Sequence, residues 1–265
     1  MIKKFPMKKH ILYTLLVTSF FLFGCSTAPR NIVYQESTID ALLSGVYDGE
    51  LPLEQLRKHG HFGIGTFDRL DGEMVLLDGQ FYQVRADGKV YRPALSNKTP
   101  FATVCNFTPE QTFSVPEQTD YPALENLIDQ HASNKNVFYA IKVTGKFKRI
   151  MTRSVPVQQK PYPTLQEIAK NQPKFQFEDV SGTLVGFRCP PYVKGINVPG
   201  YHFHFISSDR SQGGHVISFE LAQGTCVIDQ LNQYFLRLPI NTAEFAQTDL
   251  SKDRGAEMEK VISRE

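Results

Sequence analysis

The 265-residue sequence contains no block of like charge, no Cys-x-x-Cys pair and no apolar stretch long enough to span a bilayer comfortably. Each absence removes a class of function. A formal net charge of only +2 gives no pull toward a nucleic-acid backbone or a strongly polar partner surface, so nucleic-acid binding is set aside. Without Cys-x-x-Cys spacing, Cys189 and Cys226 do not read as a structural zinc finger. The apolar run Ile11 to Phe23 is short for a membrane helix but suits the core of a signal peptide, and Lys3, Lys4, Lys8 and Lys9 precede it. What remains is an ordinary globular composition, 41% hydrophobic, enough for a substantial core in one large domain or two coupled halves.

The apolar run ends in Leu22-Phe23-Gly24-Cys25-Ser26, which resembles the lipobox of bacterial lipoproteins, although Phe23 is bulkier than the small residue usual there. The resemblance implies a signal segment over 1–24, a lipidated Cys25 as the only membrane attachment, and a tether over 25–33. Ser26 after the cysteine implies an outer-membrane destination facing the periplasm, with simple secretion as the alternative. Cys105, Cys189 and Cys226 are then left over, so at most one internal bridge forms, and their plain reading is buried apolar thiols.

From residue 34 onward the pattern is many strands with a few covering helices. Thr38 caps a short helix that Gly45 stops, and a second short helix covers Leu53 to His59. Residues 63 to 82 read as strands joined by the Asp71-Gly72 and Asp78-Gly79 turns, with Glu73 opening a strand. Asp120 caps an amphipathic helix ending near His131, and Thr164 with Glu167 forms a capping box. Strands are expected at Val137 to Val143, Gly145 to Val155, Phe175 to Val180, Gly182 to Phe187, Thr225 to Leu231 and Tyr234 to Leu238. A charged tail from Asp249 to Glu265 follows, helical at best. The expected fold is α+β, with mixed and antiparallel sheets in two coupled halves, roughly 34–170 and 171–265. Taken singly, Glu73 reads as a solvated turn residue and Arg153 as a solvated strand-edge residue.

The densest chemistry lies in Gly200-Tyr201-His202-Phe203-His204-Phe205-Ile206, followed by a polar, glycine-rich turn and Gly213-Gly214-His215-Val216. On a strand, His202 and His204 share one face while Phe203 and Phe205 take the other. A lone His-x-His is common on solvated strands. A hairpin that returns His215 beside the pair instead builds an open tripod of imidazoles for Zn²⁺ or a similar divalent ion.

Matches run along nearly the whole mature chain, from about Tyr34 to Leu250. They include Gly63-Ile64-Gly65-Thr66-Phe67, Leu70-Asp71-Gly72-Glu73, Lys98-Thr99-Pro100-Phe101, Asn136-Val137-Phe138-Tyr139-Ala140, Pro161-Tyr162-Pro163, Asn197-Val198-Pro199-Gly200 and the histidine hairpin. On these the chain resembles the α-acetolactate decarboxylases. The resemblance implies a zinc enzyme that converts 2-hydroxy-2-methyl-3-oxobutanoate to acetoin and carbon dioxide, and a homodimer. It implies His202, His204 and His215 as zinc ligands, Glu73 and Arg153 as catalytic groups, and Thr66 at the site. It also implies a tail glutamate reaching the metal. Val261-Ile262-Ser263 offers no clear match for that residue, leaving Glu257, Glu259 and Glu265 open.

The residue types suit that chemistry. Decarboxylation of a β-keto acid pushes an electron pair into the neighbouring carbonyl, and a Lewis acid chelated by the ketone and hydroxyl stabilises the enediolate. Arg153 offers a charged fork for the substrate's oxygens, and Glu73 can return a proton to one face. Two other readings stay open at this stage: a cupin-like metal oxygenase or isomerase, and a non-catalytic metal-binding lipoprotein.

Overall fold

The computed structural model describes residues 1–3 and 30–262, so most of the expected signal segment, Cys25 and Glu265 lie outside the described residues. The first part of the fold runs β1 (Ile32–Glu36), α1 (Ile39–Leu43), β2 (Leu51–Pro52), α2 (Leu53–Leu56), β3 (Phe62–Thr66), β4 (Glu73–Leu77), β5 (Gln80–Val84), β6 (Val90–Tyr91), β7 (Lys98–Thr99), β8 (Ala102–Cys105), β9 (Gln111–Val115), β10 (Thr119–Asp120) and α3 (Tyr121–His131). The second runs β11 (Phe138–Arg153), α4 (Leu165–Ala169), β12 (Lys174–Cys189), β13 (Gly200–Ser207), β14 (Gly213–Leu231), β15 (Gln233–Arg237), α5 (Ala243–Gln247) and α6 (Gly255–Ile262). The expected α+β architecture is present, with mixed and antiparallel sheets.

One sheet has seven strands in the order β15, β1, β8, β3, β4, β5, β6, and its β1–β15 pair is parallel. The other runs β10, β14, β11, β12, β13, with β9 also on β14. The start of β14 pairs with β13, so β11, β12, β13 and β14 close into a ring. Val33, Ile64 and Val75 of the first sheet share a core with Ala140, Val185 and Ile206 of the second. A separate cluster of Ile39, Leu42, Leu165, Val198, Met258 and Val261 gathers α1, α4 and α6 over one end.

Local signals account for the short elements. Thr38 accepts a hydrogen bond from the Ala41 amide at the start of α1, Asp120 does so from Ala123 at the start of α3, and Thr164 with Glu167 completes the capping box of α4. Long strands differ from expectation. The breaks anticipated near Gly145 and Ser181 do not exist, because β11 and β12 each run through sixteen residues. Gly145 is a point of close approach: a Cβ there would meet the Gln223 carbonyl oxygen at 2.2 Å. Likewise Val216 to Phe219 and Thr225 to Leu231 belong to the single strand β14.

The expected domain limits also need correction. Among the described residues, regular structure begins at Ile32, inside the anticipated 25–33 tether, because β1 is held between β8 and β15. A division at residue 170 does not follow the sheets: β11 belongs with the later strands, and β15 returns to the first sheet. Cys105, Cys189 and Cys226 are buried free thiols, and burial pushes those of Cys189 and Cys226 up to about 12.

Candidate metal centre

Backbone pairing brings the three histidines together. His204 lies directly opposite His215 across the β13–β14 ladder, and His202 is two residues away on the same face. Phe203 and Phe205 fill the core on the other face. Gly213 and Gly214 permit the approach of β14. A Cβ on Gly213 would meet the Phe205 carbonyl oxygen at 2.5 Å, and one on Gly214, at φ +132, would meet that of Arg153 at 2.7 Å. Thr152 adds a hydroxyl bond to the Gly213 carbonyl at 2.8 Å.

The ligating atoms of His202, His204 and His215 all lie within 4.8 Å of one another. Nε2 of His202 faces Nδ1 of His215 at 3.1 Å. Metal–nitrogen bonds of about 2.0–2.1 Å put neighbouring ligand nitrogens roughly 2.9 to 3.4 Å apart, so that pair is already at ligand spacing. His204 donates its Nδ1–H to the Met74 carbonyl at 2.8 Å, which fixes the tautomer and turns the Nε2 lone pair into the cavity. That Nε2 is buried without a hydrogen-bond partner and stands 3.3 Å from Oε2 of Glu73. An orphaned, buried imidazole nitrogen beside two more imidazoles fits a metal ion. Burial, then the charges around it, holds His202 well below the usual histidine range and His204 at about 4. Both rings are therefore neutral, as ligands must be.

Thr66, Glu73 and Arg153 line the same cavity of about 80 Å³ as the three histidines. Two bland readings are thereby overturned. Glu73 is only 9% exposed and Arg153 only 7%. Glu73 opens β4 opposite Thr66 on β3, so the Asp71-Gly72 turn delivers its side chain to the chamber rather than to water. Thr66 donates its hydroxyl to the Gly72 carbonyl at 2.8 Å and fixes that turn. Arg153 sits on β11 between β12 and β14, directly across from His215, so it is no edge residue. Its guanidinium donates to the Val261 carbonyl at 2.5 Å. Burial pushes the Glu73 carboxyl up to about 8, opposed by the positive charge of Arg153.

Of the three tail glutamates left open, Glu257 and Glu259 lie within the described residues. Glu257 pairs with Arg254 at 3.2 Å, and Glu259 lines a separate outer cleft of about 410 Å³. Neither lines the histidine chamber, whose tail-derived wall is Met258, Val261 and Ile262. Sequence reasoning also missed the opposite wall, where Ile39, Leu42, Leu70, Phe101, Leu165 and Val198 close the cavity. Helical spacing marks some of these as apolar, but nothing in the pattern separates a cavity wall from core. The orienting group on His204 is a main-chain carbonyl, which no side-chain pattern reveals.

Three imidazoles, a buried carboxyl and a guanidinium around one chamber define a candidate metal centre on an α+β fold. The alpha-acetolactate decarboxylase from Bacillus subtilis strain 168 superposes with a TM-score of 0.85 at 41% identity, covering 88% of this chain and 99% of that one. A Methanosarcina mazei alpha-acetolactate decarboxylase is 48% identical over 89% of this chain and 82% of its own length. The Bacillus subtilis enzyme is 43% identical over 86% of this chain and 89% of its own. The profile of the alpha-acetolactate decarboxylase family matches residues 33–252. The chain belongs to the alpha-acetolactate decarboxylase family and is a decarboxylase of acetoin biosynthesis. Neither the cupin-like reading nor the non-catalytic one is favoured by these likenesses.

Proposed function

We propose that His202, His204 and His215 hold Zn²⁺, and that the chamber around them converts 2-acetolactate to acetoin with Arg153 as the substrate fork and Glu73 as the proton donor. The observation that carries this reading is convergence. Glu73, Arg153 and the histidine hairpin lie far apart in sequence yet line one buried cavity. When bound, Zn²⁺ supplies Lewis-acid stabilisation of negative charge developing on neighbouring oxygens.

The chain's own residues do the rest. Arg153 presents a planar fork of donors to the oxygens of an anionic substrate, in a chamber whose apolar lining includes Val198, Val261 and Ile262. Carbon dioxide leaves as the bond to the carboxylate breaks, and the electron pair spreads into the adjacent ketone as an enediolate. Glu73, whose carboxyl is pushed up by burial, gives its proton to the carbon that carried the carboxylate and becomes a carboxylate beside Arg153. Because Glu73 approaches from one wall, one hand of acetoin results. Thr66 acts on the turn that carries Glu73. Carbon dioxide release from acetolactate, measured on protein stripped of metal and then given Zn²⁺, Co²⁺ or Mn²⁺, tests the scheme. Full turnover by stripped protein would refute the role of the tripod, and best rescue by another ion would replace zinc.

We further propose export, with Cys25 as a lipid anchor holding a catalytic domain at the periplasmic face of the outer membrane. Support comes from the basic start, the short apolar core and Leu22-Phe23-Gly24-Cys25-Ser26. A homodimer fits the family resemblance, and Phe235, Leu238 and Ile240 at and beyond β15 expose 55, 40 and 74% of their surface. Light scattering that gives only the monomer mass would refute the dimer.

A further inference from the structure

Behind the apolar wall lies a buried polar cluster, none of whose side chains lines the chamber. Gln35 on β1 is fully buried and uses its whole side chain. Its Nε2 donates to the Ser37 and Ile196 carbonyls, each at 2.7 Å, and its Oε1 accepts from Asn197 Nδ2 and from the Tyr234 hydroxyl. Asn197, 3% exposed, gives its second Nδ2 hydrogen to Thr103 Oγ1 at 3.1 Å. Its Oδ1 accepts from the Val198 amide at 2.7 Å. Four segments, β1, β8, β15 and the loop before β13, are thus joined by one cluster in which both amides are fully engaged.

The cluster's neighbours are the chamber's walls. Val198 follows Asn197 directly and lines the cavity. The Ile196 carbonyl that accepts from Gln35 also accepts from the Ile39 amide, at 2.9 Å, and the Gly195 carbonyl accepts from Asp40. The loop is thereby fastened to the first turn of α1, whose Ile39 and Leu42 line the chamber. Thr103 sits on β8 close behind Phe101, another wall residue. Three wall pieces with no covalent neighbourhood are thus tied to one another by this set of hydrogen bonds, in addition to the β1–β8 ladder.

We infer that Asn197, acting with Gln35, Thr103 and Tyr234, is a positioning residue for the decarboxylation: it sets the apolar wall against which the substrate's methyl groups rest. The inference builds on the reading of the chamber given above. A half-satisfied cluster is worse than an intact one, because each orphaned amide seeks a new partner and draws its segment along. Displacement of Val198 and α1 loosens the substrate's pose. Misplacement of about 1 Å is enough to cost on the order of 10²-fold in rate. Looser holding also lets the enediolate turn either face to Glu73.

The test compares Asn197→Ala and Tyr234→Phe with Val115→Ala, a core truncation on β9 that lies outside the chamber's lining. Metal content, melting temperature, kcat/KM for acetolactate and the enantiomeric ratio of acetoin are measured for each. Asn197→Ala is expected to keep stoichiometric metal, lose about 10- to 100-fold in kcat/KM, and give acetoin of lower enantiomeric excess. Tyr234→Phe, which removes one hydroxyl, should move the same quantities less. Val115→Ala should melt earlier with an unchanged enantiomeric ratio. Should Asn197→Ala fail to fold, Tyr234→Phe alone decides. Wild-type kcat/KM and enantiomeric ratio in a folded, metal-replete Asn197→Ala or Tyr234→Phe protein overturns the inference. An unaltered chain that releases no carbon dioxide would instead overturn the functional reading beneath it.

Discussion

Replacing Glu73 by Gln isolates the proton donor with little disturbance of shape. The side chain is 9% exposed at the head of β4, with its carboxyl 3.3 Å from His204 Nε2, so an isosteric amide fits the same space. What changes is chemistry: an amide cannot deliver a proton to carbon. Loss of a positioned general acid costs roughly 10² to 10⁴-fold in rate, or about 3 to 5 kcal/mol of transition-state stabilisation. Carbon–carbon cleavage does not itself need Glu73, so two events should separate. Single-turnover carbon dioxide release should be slowed less than formation of chiral acetoin. Product that does form should approach a racemic mixture, because released enediol takes its proton from water on either face. Stopped-flow carbon dioxide detection, chiral gas chromatography and elemental analysis for metal cover the three quantities. Wild-type rate and wild-type enantiomeric ratio in metal-replete Glu73→Gln would refute the assignment.

Other outcomes follow from the same geometry. His204→Ala should abolish activity and release the metal, since it removes the nitrogen that Met74 aims into the cavity; retained stoichiometric metal by atomic absorption would contradict this. Arg153→Lys should lower kcat/KM by at least about tenfold, because an ammonium cannot reproduce the planar fork that now binds the Val261 carbonyl. Asp229, fully buried on β14, has its carboxyl raised by burial from 3.8 to about 6. Between those values the folded chain holds more protons than the unfolded one, so this contribution to stability is complete at lower pH and is lost as pH rises through 6. Urea unfolding between pH 4 and 7 should show that slope flattened in Asp229→Asn, and an equal slope in both would count against it. Cys25→Ser should move the protein from membrane to soluble fractions in its native host, whereas identical partitioning would remove the lipid anchor.

The histidine site was legible because strand alternation is a local rule. His202 and His204 had to share a face once Phe203 and Phe205 were taken as buried, and a glycine-rich turn returns His215 to them. Glu73 and Arg153 were legible only through the family likeness. Their burial depends on partners distant in sequence, β3 for one and β12 with β14 for the other, and single-residue tendencies average over such settings. Glycine misled at Gly145, where it marks a close crossing of strands rather than an end. The tail's role stayed open for a related reason: the partners that Met258 and Val261 find on α1 and α4 are distant in sequence.

One feature of the ladder constrains how this active site could change. Arg153, His215 and His204 are successive members of a single cross-strand row over β11, β14 and β13. Neighbouring strands lie about 4.8 Å apart and successive side chains on a strand point to opposite faces. The row therefore works like type set in a fixed frame. A ligand or a guanidinium can be exchanged for another residue in place, or moved along its strand by two positions. It cannot be nudged by one, because that step sends the group through the sheet to the other side. Natural variation at this centre is thus expected to come as substitutions within the row and as changes in the surrounding wall, while His202 and His204 stay an even number of positions apart and His215 stays opposite His204.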